Sequence, residues 1–449
     1  MSGSVGAGRR AAVVGSGPAG FYAADFLLKA GLAVDLYERL PAPYGLVRYG
    51  VAPDHQTIKR VTAAFDRTAR LGGFRFRGNV EVGKDVALEE LRRAYHLVVL
   101  AYGASSDRQL GVPGEALPGS HAATSFVAWY NAHPDHADDH YDLSSERAVV
   151  VGLGNVALDV ARVLVRPALE LAVTDIAEPA LRALRESRVR EVVLLGRRGP
   201  AEAAFDQGEL ADIAALPGVE VVVEGDVEFT LPEGADAAVR KNVEYLATLP
   251  REPSGTAERV VKLRFLASPV ELVEGAGRVR ALVFEDNELV ESQGRVTARG
   301  TGRKHELPTG LVIRSIGYQG LPLPGTPFDA KRGVVPNDHG RVLAVDGSRV
   351  PGLYVTGWIK RGPTGLIGTN KACAKETADQ ALAELDSLPI PTLDPSELDR
   401  LLAERGVEVV SYDGWLALDA AEKARGAEKG KVRDKLASVR AMLDAAGRR

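Results

Sequence analysis

Two glycine-rich turns lie 137 residues apart in this chain, Gly15-Ser-Gly-Pro-Ala-Gly20 and Gly152-Leu-Gly-Asn-Val-Ala157. Each follows a short apolar run, Ala11–Val14 or Ala148–Val151, and each opens a stretch of helical apolar spacing, Phe21–Ala30 or Leu158–Leu164. A buried strand that turns this tightly into a helix aims backbone N–H groups and the positive helix end at one point. That arrangement suits a pyrophosphate. The repeat predicts an α/β chain with two Rossmann-like dinucleotide-binding domains.

The strands that follow the two helices end differently. Ala33–Glu38 ends on an acid eighteen residues after Gly20, and Glu191–Leu195 runs into Arg197-Arg198, 45 residues after Gly152. An acid at this place accepts hydrogen bonds from an adenosine ribose, whereas arginines there favour a 2′-phosphate. In the first turn Gly15 permits the sharp bend, Gly17 lets the backbone approach the phosphates, and Gly20 allows close helix–sheet packing. The second turn ends on Ala157 instead, which widens that contact slightly. Asn155 follows its second glycine and is placed to meet the cofactor phosphates or the nicotinamide side. Gly196 and Gly199 flank the arginine pair, and a guanidinium fork matches phosphate geometry. One chain with both chemistries implies electrons passing from NADPH to a flavin.

A third segment carries chemistry as well. Gly357 to Asn370 holds four glycines within twelve residues, just before a helix expected from about 371 to 386. Backbone N–H groups and a positive helix end there would stabilise the charge that a reduced flavin gathers on its N1–C2 carbonyl edge. Trp358 is placed to stack on, or flank, the isoalloxazine ring.

Composition narrows the alternatives. A net charge of −4 argues against a nucleic-acid binder, and a single cysteine, Cys373, forbids a dithiol relay or a cysteine-held iron–sulfur cluster. Cys373 reads as a small buried thiol in a helix. The polar stretch Met1–Arg10 leads into an apolar run of four residues, too short for a secretion signal or a membrane span. The cytoplasm is the expected compartment. No long heptad or broad apolar stripe is evident, so a monomer is expected.

At 449 residues the chain has room for two to three domains. Leu97–Ala101 reads as a buried strand, and the character changes near residue 107. The connection 166–190 looks helical, 218–315 turns to β, Leu311–Ile316 reads as a returning strand, and 320–349 reads as connector. Leu353–Gly357 is a further strand, and the chain after Pro389 is helix and loop. The implied organisation is an FAD-binding domain from 1–106 and 329–449, interrupted by an NADP-binding domain at 107–328.

With these segments in place the chain resembles the adrenodoxin-reductase-type ferredoxin–NADP reductases, actinobacterial members above all. The likeness rests on the first turn, on Tyr44-Gly-Leu-Val-Arg-Tyr-Gly-Val-Ala-Pro-Asp-His55, on Val151–Asp159, on Leu195–Pro200 and on Gly357–Asn370. It implies that Ser16, Ala19, Glu38, Leu46, Val82, Trp358 and the Gly365-Leu366-Ile367 backbone hold FAD; Asn79–Gly83 offers a second valine beside Val82. It implies that Arg108, Gly154, Asn155, Val156, Ala157, Arg197, Arg198, Glu209 and Gly365 contact NADP(H). His55 and Glu209 match a pair beside the two reacting rings. Hydride transfer needs no general base, so both are expected to tune or position the rings. The implied activity is hydride transfer between NADPH and FAD N5, then single electrons to a ferredoxin-type iron–sulfur protein of the kind that supplies cytochromes P450.

Ferredoxins are acidic, so a basic docking face is expected. Two segments compete for it: Lys59–Arg77, with six basic residues against one acid, and Lys423–Arg440, with seven against two. Either would pair with Arg240-Lys241. Two other functions stay open on sequence grounds, an NADPH-dependent flavin monooxygenase or diaphorase and a non-catalytic NADP(H) sensor.

Overall fold

The computed structural model describes Gly6, residues 8–292 and residues 295–447; the polar leader Met1–Val5 lies outside the described residues. The chain divides into two compact units: Met1–Ser106 with Asn131–Ala137 and Tyr318–Arg449, and Asp107–Tyr130 with Asp138–Gly317. The stretch 318–328 falls with the first unit because Leu323 and Phe328 pack on the core around Val82, Leu88 and Leu398.

The first unit is built on a seven-stranded sheet, in the order Asn337–Asp338, Arg341–Leu343, Arg349–Val355, Leu97–Leu100, Arg10–Val14, Ala33–Tyr37, Phe74–Arg77. The five strands from Arg349–Val355 to Phe74–Arg77 run parallel. The chain steps one way from Arg10–Val14 and returns on its other side at Leu97–Leu100. A crevice therefore opens at the carboxyl ends of these two strands, where Gly15 follows. The expected connector 320–349 contains the two antiparallel edge strands; their few residues gave no alternation to read.

The second unit has a six-stranded parallel sheet, in the order Ser120–Ala122, Leu311–Arg314, Arg147–Val151, Glu191–Leu195, Arg259–Arg264, Val219–Glu224. Its order also reverses beside the glycine turn, between Arg147–Val151 and Leu311–Arg314. An antiparallel sheet of Ala267–Gly275, Arg278–Ser292 and Arg295–Pro308 is added to it. The β-rich reading of 218–315 missed one helix, Ala237–Thr248. Asp236 caps it by accepting from the N–H groups of Ala238 and Val239, and Asn242, Val243 and Leu246 form its buried face. The connection 166–190 carries the expected helices, Ala168–Leu171 and Glu178–Arg185.

In the first unit, helix Pro18–Lys29 shares a core with helix Thr369–Glu384. Ala23, Ala24 and Leu27 from one and Ala374, Ala378 and Ala381 from the other are buried together. The C-terminal helix Tyr412–Glu428 joins this core through Trp415 and Leu418. It also carries Glu422, fully buried, which takes a two-pronged bond from Arg48 at 2.9 and 2.5 Å. Arg433 Nη1 and the Leu436 N–H complete the carboxylate at 2.8 and 2.9 Å. Burial works against ionised Glu422, but the two arginines outweigh it and hold its pKa below the usual carboxylate range.

Removing one member of such a pair leaves a buried charge without a counter-ion. Glu422→Ala is expected to cost about 3–5 kcal/mol in urea unfolding. A loss under about 1 kcal/mol would show that Arg48 finds water or another partner.

Candidate functional site

Gly15 sits at φ +104°, and a Cβ built on it would lie 2.6 Å from the Ala101 carbonyl oxygen. The turn is thus wedged between the two strands at the switch point. A Cβ on Gly20 would come within 1.9 Å of the Gly15 carbonyl oxygen, whereas one on Gly17 would meet nothing within 4 Å. Gly20 is closed by the fold itself and Gly17 is open. The N–H groups behind Gly17 start helix Pro18–Lys29, whose N-cap has no side-chain partner.

Three other segments converge on this turn. Glu38 accepts from the Ser16 N–H at 3.1 Å and the Ser16 hydroxyl at 2.7 Å, and its second oxygen accepts from the Leu40 N–H at 3.2 Å. A carboxylate offers about four acceptor positions, so Glu38 keeps capacity for a ribose. Tyr44 donates its N–H to the Ser16 carbonyl at 3.1 Å, and a Cβ on Gly45 would lie 3.1 Å from Gly17 Cα. On the other flank a Cβ on Gly357 would lie 2.6 Å from Ala19 Cβ. Ser16, Ala19, Glu38, the Tyr44–Leu46 segment and the start of the Trp358 segment are thereby brought together.

The Trp358 ring is half-buried beside Tyr318, with ring centres 5.2 Å apart, and its Nε1 is buried without a partner among the described residues. Arg361 Nη2 bonds Asn370 at 3.3 Å, while its Nε and Nη1 are likewise buried and, among the described residues, unpaired. Orphaned donors cost free energy unless a ligand meets them. The helix after this loop starts at Thr369 with Gly368 as an uncapped N-cap, two residues earlier than expected. Ile367 packs on the core and Leu366 is exposed. An open glycine, an acid with spare acceptor positions and unpaired donors fit a dinucleotide with a free ribose. Val82 is packed in the core with Tyr37 and Leu100, so its side chain serves the fold at least as much as any ligand. His55 is half-buried at the start of the short helix Gln56–Lys59.

The second unit repeats the device. Gly152 sits at φ +136°, and a Cβ there would lie 2.2 Å from the Ser315 carbonyl oxygen; one on Gly154 would meet nothing within 4 Å. Val156 lies in the first turn of the helix, Asn155–Val165, and Ala157 is fully buried in it. Asn155 Oδ1 accepts from the Asp206 N–H at 2.7 Å, so its oxygen orders the next loop and leaves its NH₂ for a ligand. Arg197 is exposed and Arg198 half-buried; among the described residues neither guanidinium has a partner. Arg108 is exposed, with its N–H on the Gly317 carbonyl.

A model described as pyridine nucleotide-disulphide oxidoreductase matches residues 9–195. The NADPH-ferredoxin reductase FprA of Mycobacterium leprae is 46% identical over 448 residues, covering 96% of this chain and 97% of the relative. The mitochondrial NADPH:adrenodoxin oxidoreductase of Arabidopsis thaliana is 42% identical, covering 97% and 94%. The solved structure of Mycobacterium tuberculosis FprA in complex with NADPH superposes with a TM-score of 0.92 at 45% identity, over 98% of this chain and 99% of that one. The chain belongs to the adrenodoxin-reductase-type ferredoxin–NADP reductases.

For this reductase, two supporting groups, Arg162 and Glu422, were not singled out from the sequence. Glu209, in the first turn of helix Gln207–Ala214, accepts at 3.1 Å from Arg162, which is 1% exposed and also bonds Asp159 at 2.5 Å. A lone arginine inside Val160-Ala-Arg-Val-Leu-Val165 was the available signal, since only a paired charge survives on an apolar face. Arg48 was quoted inside a motif, but its partner Glu422 lies 374 residues away and carried no mark.

The Cβ geometry separates cofactor loss from fold loss. Gly17→Ala is expected to yield a folded protein, with unchanged circular dichroism, that purifies without flavin. Gly20→Ala is expected to lower stability by about 1–3 kcal/mol or more through overpacking. Equal behaviour of the two variants would contradict this assignment.

Proposed function

We propose that the chain is an FAD-containing NADPH:ferredoxin oxidoreductase whose first unit binds FAD and whose second binds NADP(H). The observation that carries it is the contrast between two equivalent turns: one faces an acid, Glu38, the other an arginine pair without a partner among the described residues. Held at the open Gly17 turn and Glu38, FAD would supply an acceptor for the NADPH hydride and a source of single electrons for an iron–sulfur protein.

The chain's own residues bind, orient and tune. Gly17 and Gly154 leave room for pyrophosphates, and the helix starts behind them supply N–H donors. Glu38 accepts from ribose hydroxyls, and Arg197 with Arg198 grips the 2′-phosphate. Trp358 Nε1 and the loop through Gly365, Leu366 and Ile367 face the flavin end, with Gly365 also on the nicotinamide side. His55 and Glu209 set the field around the rings. Arg162 holds Glu209 in one orientation, so that the carboxylate acts as a fixed charge.

Docking of an acidic ferredoxin falls to Lys59–Arg77 in this reading. Arg60, Arg67 and Arg70 are exposed and, among the described residues, have no ion-pair or hydrogen-bond partner on their side chains. Exposed Ile58 and Leu71 lie beside them. In the rival segment Lys423, Arg425, Lys429, Arg433 and Arg440 are all engaged with carboxylates, and Lys435 is buried. Charges already neutralised inside the protein attract a partner weakly. Arg240 and Lys241 are exposed on helix Ala237–Thr248, which also carries Glu244. The cytoplasm remains the expected compartment; no described helix is long and apolar enough to cross a membrane.

Anaerobic titration tests the central reading: NADPH should bleach the bound flavin stoichiometrically and a ferredoxin should restore its colour. Arg197→Gln should raise the NADPH requirement by about tenfold or more and leave the NADH requirement nearly unchanged. Equal effects on both coenzymes would remove the clamp. For docking, Arg67→Gln combined with Arg70→Gln should slow ferredoxin reduction several-fold at low salt and flatten its ionic-strength dependence. Reduction of a small neutral dye should not change, and a matching loss with the dye would count against this face.

A further inference from the structure

The arginine pair stands on a turn, Gly196–Gly199, whose backbone is held from one side. The Gly196 N–H donates to the Arg264 carbonyl at 2.9 Å, and the Gly196 carbonyl accepts from the Ala267 N–H at 2.9 Å. The Arg198 carbonyl accepts from the Leu266 N–H at 3.1 Å. Between them, the Arg197 carbonyl accepts from the side-chain Nδ2 of Asn287 at 2.8 Å. Three of these four bonds come from the strand junction 264–267; the fourth comes from a side chain on the added antiparallel sheet.

Asn287 is built into its place. It is 7% exposed, donates its own N–H to the Leu266 carbonyl at 2.7 Å, and shares its Nδ2 with Ser268 Oγ at 2.8 Å. It stands at an irregularity of strand register between Glu285 and Asn287, the kind of place where a sheet re-aims a side chain. Leu289, two residues on, would touch a Cβ on Gly199 at 3.4 Å. The same strand thus meets the arginine turn twice. Its neighbour Asp286 is consumed by Arg264, Arg303 and His305, so the group that reaches the turn is a neutral carboxamide.

We propose that Asn287 is a positioning residue for coenzyme selectivity, fixing the direction of Arg197 so that the enzyme prefers a 2′-phosphate over a 2′-hydroxyl. This rests on the reading of Arg197 and Arg198 as the phosphate clamp. Among the described residues the exposed Arg197 side chain has no partner, so the backbone beneath it sets where that side chain leaves the turn. A carbonyl anchored at both neighbours and at its own oxygen leaves little to be ordered when the phosphate arrives. A ligand without that phosphate gains nothing from the anchoring. Selectivity, more than binding as such, should register its loss.

The test measures binding of adenosine 2′,5′-bisphosphate and of 5′-AMP to the oxidised holoenzyme by titration calorimetry. For Asn287→Ala the affinity ratio between the two ligands should fall by about five- to tenfold, the worth of roughly one hydrogen bond. The 5′-AMP affinity should stay close to wild type, while the melting midpoint falls modestly because a buried carboxamide and its bonds are lost. Asn287→Ser should behave alike and serves if the alanine variant folds poorly. Ser268→Ala, which removes the other partner of Nδ2 and leaves the bond to Arg197, should keep the ratio. An unchanged ratio in Asn287→Ala beside a collapsed ratio in Arg197→Gln overturns the proposal and spares the clamp. An unchanged ratio in Arg197→Gln overturns the clamp itself. Equal weakening of both ligands in Asn287→Ala reduces Asn287 to a structural role and also overturns the proposal.

Discussion

The protein depends on backbone meeting backbone at two points. Gly20 packs on the Gly15 carbonyl, and Gly152 packs on the Ser315 carbonyl, at distances where a single added carbon would collide. The first contact closes a helix onto the turn behind its strand, and the second seats the turn against the end of the neighbouring strand; both lie where the sheet order reverses. Because these glycines are closed, their neighbours Gly17 and Gly154 are left open. The same constraint that seals the fold creates the space for a phosphate.

Around the first contact the chain places segments from distant parts of its length. Tyr44 holds a positive φ of 85°, which a bulky residue adopts only when its surroundings demand it. Its hydroxyl meets Asp66 and Tyr412, and Trp415 Nε1 donates to it at 3.3 Å. Arg48, four residues on, lies in the buried network of Glu422 and Arg433. Lys435 closes the same network, bonding the Arg48 carbonyl at 3.0 Å and Asn131 Oδ1 at 3.1 Å. Helix Tyr412–Glu428 and the loop after it therefore hold both ends of the segment that presents Gly45 and Leu46 to the phosphate turn. They are part of the site's support, although they contribute no residue to the assigned ligand set.

Much of the architecture was legible because buried parallel strands are short apolar runs and glycine turns interrupt them abruptly. Glu191–Leu195 was read with its observed bounds, and Ala11–Val14, Ala33–Glu38, Leu97–Ala101, Ala148–Val151 and Leu311–Ile316 to within two residues, while Phe74–Arg77, Ser120–Ala122, Ala267–Gly275 and Arg295–Pro308 were not read as strands. What escaped was structure without a periodic signal. The edge strands Asn337–Asp338 and Arg341–Leu343 are too brief to alternate, and helix Ala237–Thr248 sits among β segments behind a capping aspartate. Charge counting could not choose between Lys59–Arg77 and Lys423–Arg440, since a count is blind to pairing. In the folded chain the second segment spends its cations on Glu422, Asp419, Asp434 and Asp444, while Arg60, Arg67 and Arg70 of the first have no partner among the described residues.

By itself the sequence determined that two nucleotide-binding sheets exist, which turn belongs to each, and that an acid ends one strand and arginines another. These are local facts, written in consecutive residues by the needs of a tight turn and a buried strand. Tertiary structure alone decided that Glu422 neutralises Arg48, that Arg162 steadies Glu209, and that Asn287 carries the Arg197 carbonyl. Those pairings join residues that lie 374, 47 and 90 positions apart. A hydrogen bond needs only proximity, and proximity between distant residues is set when the layers pack.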